Sequence, residues 1–253
     1  MATGRSLPAF QRVYIDGYNM SCYAMDAGEV GVDYPEYASG AMCDQVTGYL
    51  VGKPSPVFGP LVATFDNTAT SGFHVLANAA QGVRRNITLA QGVRAAPAMG
   101  DDVFCAPMTQ IRYKTIGDTI VTAKTDFVQD VTAFLEYDEF FGKLIHAYGA
   151  ETGANSANTN VDNGAASTAG GWMMYHLESI TGGGTATISI DDSANGTSWS
   201  GLSGATSGAL SGVTSGIVQL GITDTVRRYL RWQLALAGGS TAATFVLSFM
   251  RGR

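Results

Sequence analysis

Residues 172–191 read WMMYHLESITGGGTATISID, and this stretch decides the fold. In Trp172 to Ile180 the side chains alternate, with Trp172, Met174 and His176 on one side and Met173, Tyr175 and Leu177 on the other. In Thr185 to Asp191, Ala186, Ile188 and Ile190 point one way while Thr185, Thr187 and Ser189 point the other. A period of two residues marks a β-strand, whose successive side chains leave opposite faces. Gly182-Gly183-Gly184 predicts a hairpin turn between the segments, since glycine enters the positive-φ conformations that tight turns need.

The pattern continues toward the C-terminus. Val226 to Leu236 places Leu230, Trp232, Leu234 and Leu236 inward, with Tyr229, Arg231 and Gln233 outward. Phe245, Leu247 and Phe249 alternate after the turn Gly238-Gly239-Ser240-Thr241. Between these pairs runs the Ser/Gly/Thr-rich stretch Gly196 to Gly216, anchored by Trp199, Leu202, Leu210 and Val213. Short strands at regular spacing with glycine turns predict a small β-sandwich over residues 172–253.

Residues Ala150 to Gly171 contain no aromatic and no aliphatic larger than Val161. Such a stretch buries too little apolar area to order itself, so 151–171 reads as a linker that follows a domain of residues 1–150. In that first domain Gln11 to Asp16 predicts a strand and Asp16-Gly17 a turn. Tyr34 to Pro60 holds four of the seven prolines together with Tyr37, Tyr49 and Phe58, which suits a long aromatic loop or irregular hairpin. Phe73 to Ala80 predicts a short helix stopped by Gly82. Gln110 to Leu135 has strand character, with Ile111, Tyr113, Ile120, Val121 and Phe127 as expected core residues. Phe140, Phe141, Leu144 and Ile145 recur at three-to-four spacing and predict a second short helix over Tyr137 to Tyr148.

Composition bears on function. Charged residues make up 14% of the 253-residue chain, against roughly 25% in an average soluble domain. Scaling surface with mass gives a folded monomer about 10,600 Å² of accessible area, or about one charge per 300 Å². A surface so thin in charge points to burial against further copies or partners. The net charge of −6 argues against a nucleic-acid binder, which neutralises phosphates with a basic footprint. No apolar run approaches the roughly 20 residues of a membrane span. Met1 to Phe10 lacks the apolar core of a secretory signal. Cys22, Cys43 and Cys105 are odd in number and widely spaced, which fits neither a disulfide framework nor a metal motif and suits a reducing cytoplasm.

Each candidate for chemistry lacks a required part. Gly48-Tyr49-Leu50-Val51-Gly52-Lys53 has a three-residue gap where a phosphate loop has four, and Pro54 stands where a Ser or Thr must hold magnesium. Asp191, Ser193, Asn195 and Gly196 begin like a calcium loop, but Leu202 replaces the bidentate Glu, so a turn cap is the expectation. His74, His146 and His176 are isolated, and no Gly-x-Ser-x-Gly elbow occurs. Asp101-Asp102 and the group Glu136, Asp138 and Glu139 read as solvated turns. Arg84-Arg85 and Arg227, Arg228 and Arg231 are too few for a nucleic-acid site and are expected to pair with acids at an interface. The chain is therefore expected to be no enzyme and to carry no cofactor and no metal.

Six segments, three in each half, resemble proteins of tailed bacteriophages. Ile188 to Gly196, Val226-Arg227-Arg228-Tyr229-Leu230-Arg231 and Ala243 to Phe249 resemble a β-sandwich module of their structural proteins. Val13-Tyr14-Ile15-Asp16-Gly17, the long loop and the Phe65 to Ala80 segment look like the tail-tube (major tail) protein family. The resemblance implies a mainly β chain, with a tail-tube-like β-barrel or sandwich at 1–150 carrying one or two short helices, and a C-terminal β-sandwich. It implies a virion protein, assembled in the host cytoplasm, that forms stacked rings, usually of six, around a lumen through which genomic DNA slides without specific binding. Partners are then further copies and other tail proteins, with no membrane. The loop 34–60 is expected to reach the adjacent ring through Tyr34, Tyr37, Tyr49 and Phe58. A capsid decoration protein and a carbohydrate-binding adhesion module, with Trp199 as the platform, are the alternatives.

Overall fold

The computed structural model describes residues 8–39, 48–70, 72–93, 95–117, 120–130, 137–155 and 159–253. A short 3-10 turn at Pro8–Phe10 leads into β1 (Gln11–Ile15), β2 (Tyr18–Asn19), β3 (Ala24–Asp26) and β4 (Glu29–Asp33). Next come β5 (Glu36–Ser39), β6 (Gly48–Val51), β7 (Ser55–Gly59), β8 (Leu61–Thr64) and the helix α1 (Phe73–Asn78). β9 (Arg84–Gln91), β10 (Asp102–Ile116), β11 (Thr122–Gln129), β12 (Phe141–Glu151) and β13 (Val161–Asp162) follow. The chain ends with β14 (Gly171–Thr181), β15 (Thr185–Ser193), β16 (Ser200–Thr206), β17 (Thr214–Gln219), β18 (Tyr229–Ala237) and β19 (Ala242–Arg251). The protein is mainly β, as expected, and the described residues form one short α-helix and no closed barrel, so the barrel form expected of residues 1–150 is not what they adopt.

An eleven-stranded sheet runs β17-β14-β19-β12-β10-β11-β8-β3, with β9 on the other flank of β10 and β1 and β2 beyond it. A four-stranded sheet, β13-β18-β15-β16, packs on part of it. Strands β12, β14 and β19 lie between two cores. Trp172, Met174, Val246, Met250 and Leu144 face one core, with Leu61, Leu89, Phe104 and Phe73 of α1. Met173, Leu177, Phe245, Leu247, Phe249 and Ile145 face the other, with Ile188, Ile190, Leu230 and Leu234 of the smaller sheet. Burial of both faces explains the near-continuous apolar stretches at residues 172–177 of β14 and 245–250 of β19, whereas β12 is buried only at residues 144–146. The alternation expected of 172–180 is present, but from Trp172 to Leu177 neither face meets water, and only Glu178 to Ile180 are accessible.

Several expectations change. The division at 151–171 is not a boundary of the large sheet, because β12 from the first half pairs with β19 from the second and with β10. The glycine- and alanine-rich segment contributes β13, paired with β18, and Ser167 bonds to Val226 through the backbone. Backbone hydrogen bonds to β18 order residues that have little apolar area of their own. Residues 141–151 form a strand rather than a helix. Its register shifts at Leu144/His146 and His146/Gly149, and Leu144 and Ile145 enter opposite cores, which imitates helical spacing in the sequence. Ile111, Ile120 and Val121 are exposed rather than core residues, as is Val213, while Phe127 is buried as expected. The strand at 11–15, the helix at Phe73 and the turn at Asp16-Gly17 all form.

Gly182 to Gly184 do not close a hairpin. They carry the chain from β14 in the large sheet to β15 in the small one, and Gly238-Gly239 return it from β18 to β19. The two crossovers touch: a Cβ on Gly182 (φ +96°) would lie 2.2 Å from the Gly239 carbonyl oxygen. Gly183 (φ +76°) faces open space. Both positions carry the backbone cost of a left-handed side chain, about 1–2 kcal/mol, but only Gly182 adds a backbone clash. Gly182→Ala should therefore lower the urea midpoint clearly more than Gly183→Ala, and equal effects would mean that the crossovers separate freely.

The β1–β2 turn is tied to the large sheet by a buried polar network. Asp16 accepts from the Asn86 N–H at 2.9 Å and pairs with Arg85, and Ser215 donates to it at 3.3 Å. The Gly17 N–H donates to His176 Nδ1 at 3.2 Å, so Nε2 holds the proton and donates to Thr88 Oγ1 at 2.9 Å. Burial pushes the His176 pKa down to about 4, against the opposing pull of Asp16. Below the ordinary pKa of 6.5 the unfolded chain takes up a proton that the folded chain refuses until about pH 4. Stability is thus fully present above pH 6.5 and falls by up to about 1.4 kcal/mol per pH unit within that window. Thermal melts from pH 7 to 4 should show this decline, and His176→Gln should flatten it.

Candidate assembly surface

Strands β4 to β7 form an arm. At its base β4 pairs with β7, from Glu29 opposite Gly59 to Asp33 opposite Ser55. Beyond Tyr34-Pro35 the same two chain segments pair again as β5 and β6, from Glu36 opposite Val51 to Ser39 opposite Gly48. The segment expected as a loop or irregular hairpin is therefore a two-stranded ribbon. Eleven residues from Glu29 to Ser39 at about 3.3 Å each give it a reach of about 36 Å.

Burial falls along the arm. Phe58 is 2% exposed, stacked on Phe104 with ring centroids 6.5 Å apart and tilted against Phe127 at 5.5 Å. Pro56 is buried beside it. Toward the tip, Tyr34, Tyr37, Tyr49, Leu50 and Val51 are all more than half exposed. Tyr37 lies opposite Leu50, while Val51 and Tyr49 lie on the other face with Glu36 and Ala38. Apolar side chains thus occupy both faces, and among the described residues β5–β6 has no third strand. A two-stranded ribbon of this kind is marginal in water unless something packs on it.

Of the four residues expected at an inter-subunit contact, Tyr34, Tyr37 and Tyr49 are on the exposed arm. Phe58 is a correction: it anchors the arm in its own protomer's core, because inward alternation along β7 turns it toward Phe104. Sequence reasoning did not single out Leu50 and Val51, whose exposure follows from pairing with Tyr37 and Glu36 beyond the reach of the body.

A second exposed apolar group lies on the β10–β11 hairpin. Ile111, Ile116, Ile120, Val121 and Val128 are each between 42% and 62% exposed. Together the arm and this hairpin hold more than half of the large apolar residues exposed among those described.

The remaining candidates sit apart from one another. Asp191 accepts from Arg231 and Gln233, and Ser193 and Asn195 cap the turn after β15 by accepting N–H bonds from Gly196, Thr197 and Ser198. Gly48 to Lys53 belong to the arm, not to a strand-to-helix turn. The arginines expected at an interface pair within the chain instead: Arg227 with Asp192, Arg228 with Asp162, Arg231 with Asp191, Arg85 with Asp16 and Arg84 with Asp130. Two forked bonds from Arg228 hold the Asp162 carboxyl down at about 2.

Trp172 and Trp232 are core residues. The Arg231 guanidinium covers the Trp199 ring 4.5 Å from its centroid, on a face that a sugar platform would need. His74 meets Tyr113, and His146 lies between the Phe245 carbonyl and Glu151, so the three histidines share no site. Asp102 pairs with Lys143 and Glu139 with Arg253, while Glu136 and Cys43 lie outside the described residues. Cys22 is exposed, and burial pushes the Cys105 thiol up to about 12. Among the described residues no three His, Cys, Asp or Glu side chains are grouped to hold a metal ion, and no helix is long and apolar enough to cross a membrane.

Comparison with known proteins adds little. No family model and no curated protein matches the chain. Among solved structures, the Dit protein of SPP1, titled a paradigm of the hub adsorption apparatus in phages that infect Gram-positive hosts, aligns over 96% of this chain and 99% of its own. The identity is 9% and the TM-score 0.33, too slight a likeness to carry a role across.

The contrast within the arm is measurable. Phe58→Ala should destabilise the protomer by about 3–5 kcal/mol. Tyr37→Ala and Leu50→Ala should each change its denaturation midpoint by less than about 0.5 kcal/mol equivalent. Equal losses would place the tip against its own body.

Proposed function

We propose that this chain is a non-catalytic structural subunit of a bacteriophage tail, which assembles into stacked rings that form a hollow, DNA-conducting tube. One observation carries the reading: a double-cored body projects a two-stranded ribbon that is apolar on both faces near its tip and, among the described residues, open on both edges. Packing against another molecule would cover what the protomer leaves in water. The thin surface charge and the residues that resemble tail-tube proteins support the same role. A closed ring of identical subunits would also bury edge strands such as β3 and β17. Net acidity suits a lumen through which DNA slides without sticking.

Negative-stain electron microscopy of the concentrated protein tests this. Hollow rings or tubes are expected, and Tyr37→Ala with Tyr49→Ala should shorten or abolish the stacks while the protomer stays folded. A species that never stacks, or that binds only to empty heads, would overturn the tube reading in favour of decoration.

A further inference from the structure

The two exposed apolar hairpins carry opposite charge. On the arm, Glu29, Asp33 and Glu36 are exposed along the outgoing segment, against a single lysine, Lys53, on the returning one. None of the three acids has an ion-pair partner in its own chain among the described residues. On β10 and β11, register sets Lys114 directly opposite Lys124 and Arg112 opposite Asp126. Alternation fixes the direction of these side chains. Ala123, Thr125 and Phe127 point into the core, so Thr122, Lys124, Asp126 and Val128 point out, with Arg112, Lys114 and Ile116 beside them.

Arg112 meets Asp126 at 3.5 Å, but the two lysines have no acid in their own chain among the described residues. Like charges directly opposite on paired strands oppose that pairing. The arrangement is relieved when a carboxylate is brought to it. The same outward face presents Ile111, Ile116 and Val128 at 44%, 50% and 42% exposure, so it offers apolar area around the cations. The arm offers carboxylates around Tyr37, Tyr49, Leu50 and Val51, which is the matching composition.

We infer that the arm of one copy docks on the outer face of the β10–β11 hairpin of a second copy, with Lys114 and Lys124 receiving the arm carboxylates. This rests on the assembly reading and names the surface through which it works. The contact joins two different patches, arm to hairpin, so each copy has both a donor and an acceptor surface, as a ring or stack of copies requires. Opposite potentials would also set which face of the neighbour the ribbon meets.

The test uses the full chain and a pelleting assay with electron microscopy at low salt. Lys114→Glu with Lys124→Glu, and separately Asp33→Lys with Glu36→Lys, should each lower the assembled fraction about tenfold or more, with unchanged melting of the protomer. Combining all four substitutions should restore assembly to within about threefold of the unmodified chain. Unaltered assembly in both reversed variants, or no recovery in the combination, overturns the docking surface and leaves the function standing. An unmodified chain that forms no higher species at any concentration overturns both. Duplex DNA retained by the unmodified chain and released by Lys114→Glu with Lys124→Glu, with assembly unchanged, would assign the lysines to phosphate instead.

Discussion

The fold depends on three strands whose central residues are buried on both faces. β12, β14 and β19 form the middle of the large sheet and at the same time the floor of the second core. Trp172 and Met174 serve one side, and Met173 and Leu177 the other, within six consecutive residues. A single-residue slip of β14 would exchange these sets and place every side chain in the wrong core. His176 reinforces the register, because its bonds to Gly17 and Thr88 form only when it faces the first core. The two halves of the chain are therefore parts of one packing problem.

That dependence explains what the sequence disclosed. β15 and β18 were readable because each has one wet face, and alternation distinguishes it: Ile188 and Leu230 are buried while Thr187 and Arg231 remain partly accessible. The outer arrangement of β14 and β15 was not readable, since Gly182 to Gly184 can close a hairpin or cross between sheets with the same residues. Only the contact with Gly239 decides between them. β12 was misleading because two register shifts break its period of two, and the adjacent Leu144 and Ile145 enter opposite cores. Residues 159–171 looked unstructured since much of their order comes from backbone bonds to β18 and the residues before it, and from polar contacts such as Asp162 with Arg228. Val161 is their one buried aliphatic side chain of any size. At the candidate surface, three tyrosines were found by their position in a proline-rich stretch. Phe58 was not separable from them, because burial at the base of a ribbon is a property of its distance from the body.

The tyrosine-rich arm and the β10–β11 hairpin differ from the body in the kind of charge they display. Arginines of the body are matched to aspartates nearby: Arg85 to Asp16, Arg227 to Asp192, Arg228 to Asp162 and Arg231 to Asp191. Such pairs are forked or partly buried, and they orient strands and turns within one chain. Lysine and glutamate on the hairpins remain in water instead.

Lysine keeps a compact, strongly hydrated charge on a flexible stem, so it holds no fixed geometry until a partner arrives. A protomer that matched every charge internally would have little to orient a neighbour, and its exposed apolar residues would associate without direction. Leaving Lys114 and Lys124 opposed on one hairpin, and three carboxylates unpaired on the other, gives apolar association a direction. The cost is a locally repulsive pair, which is small at an exposed site and would be relieved by the proposed docking. Stability in this protein therefore resides in the shared central strands, and the proposed selectivity would reside in the two hairpins that project from them.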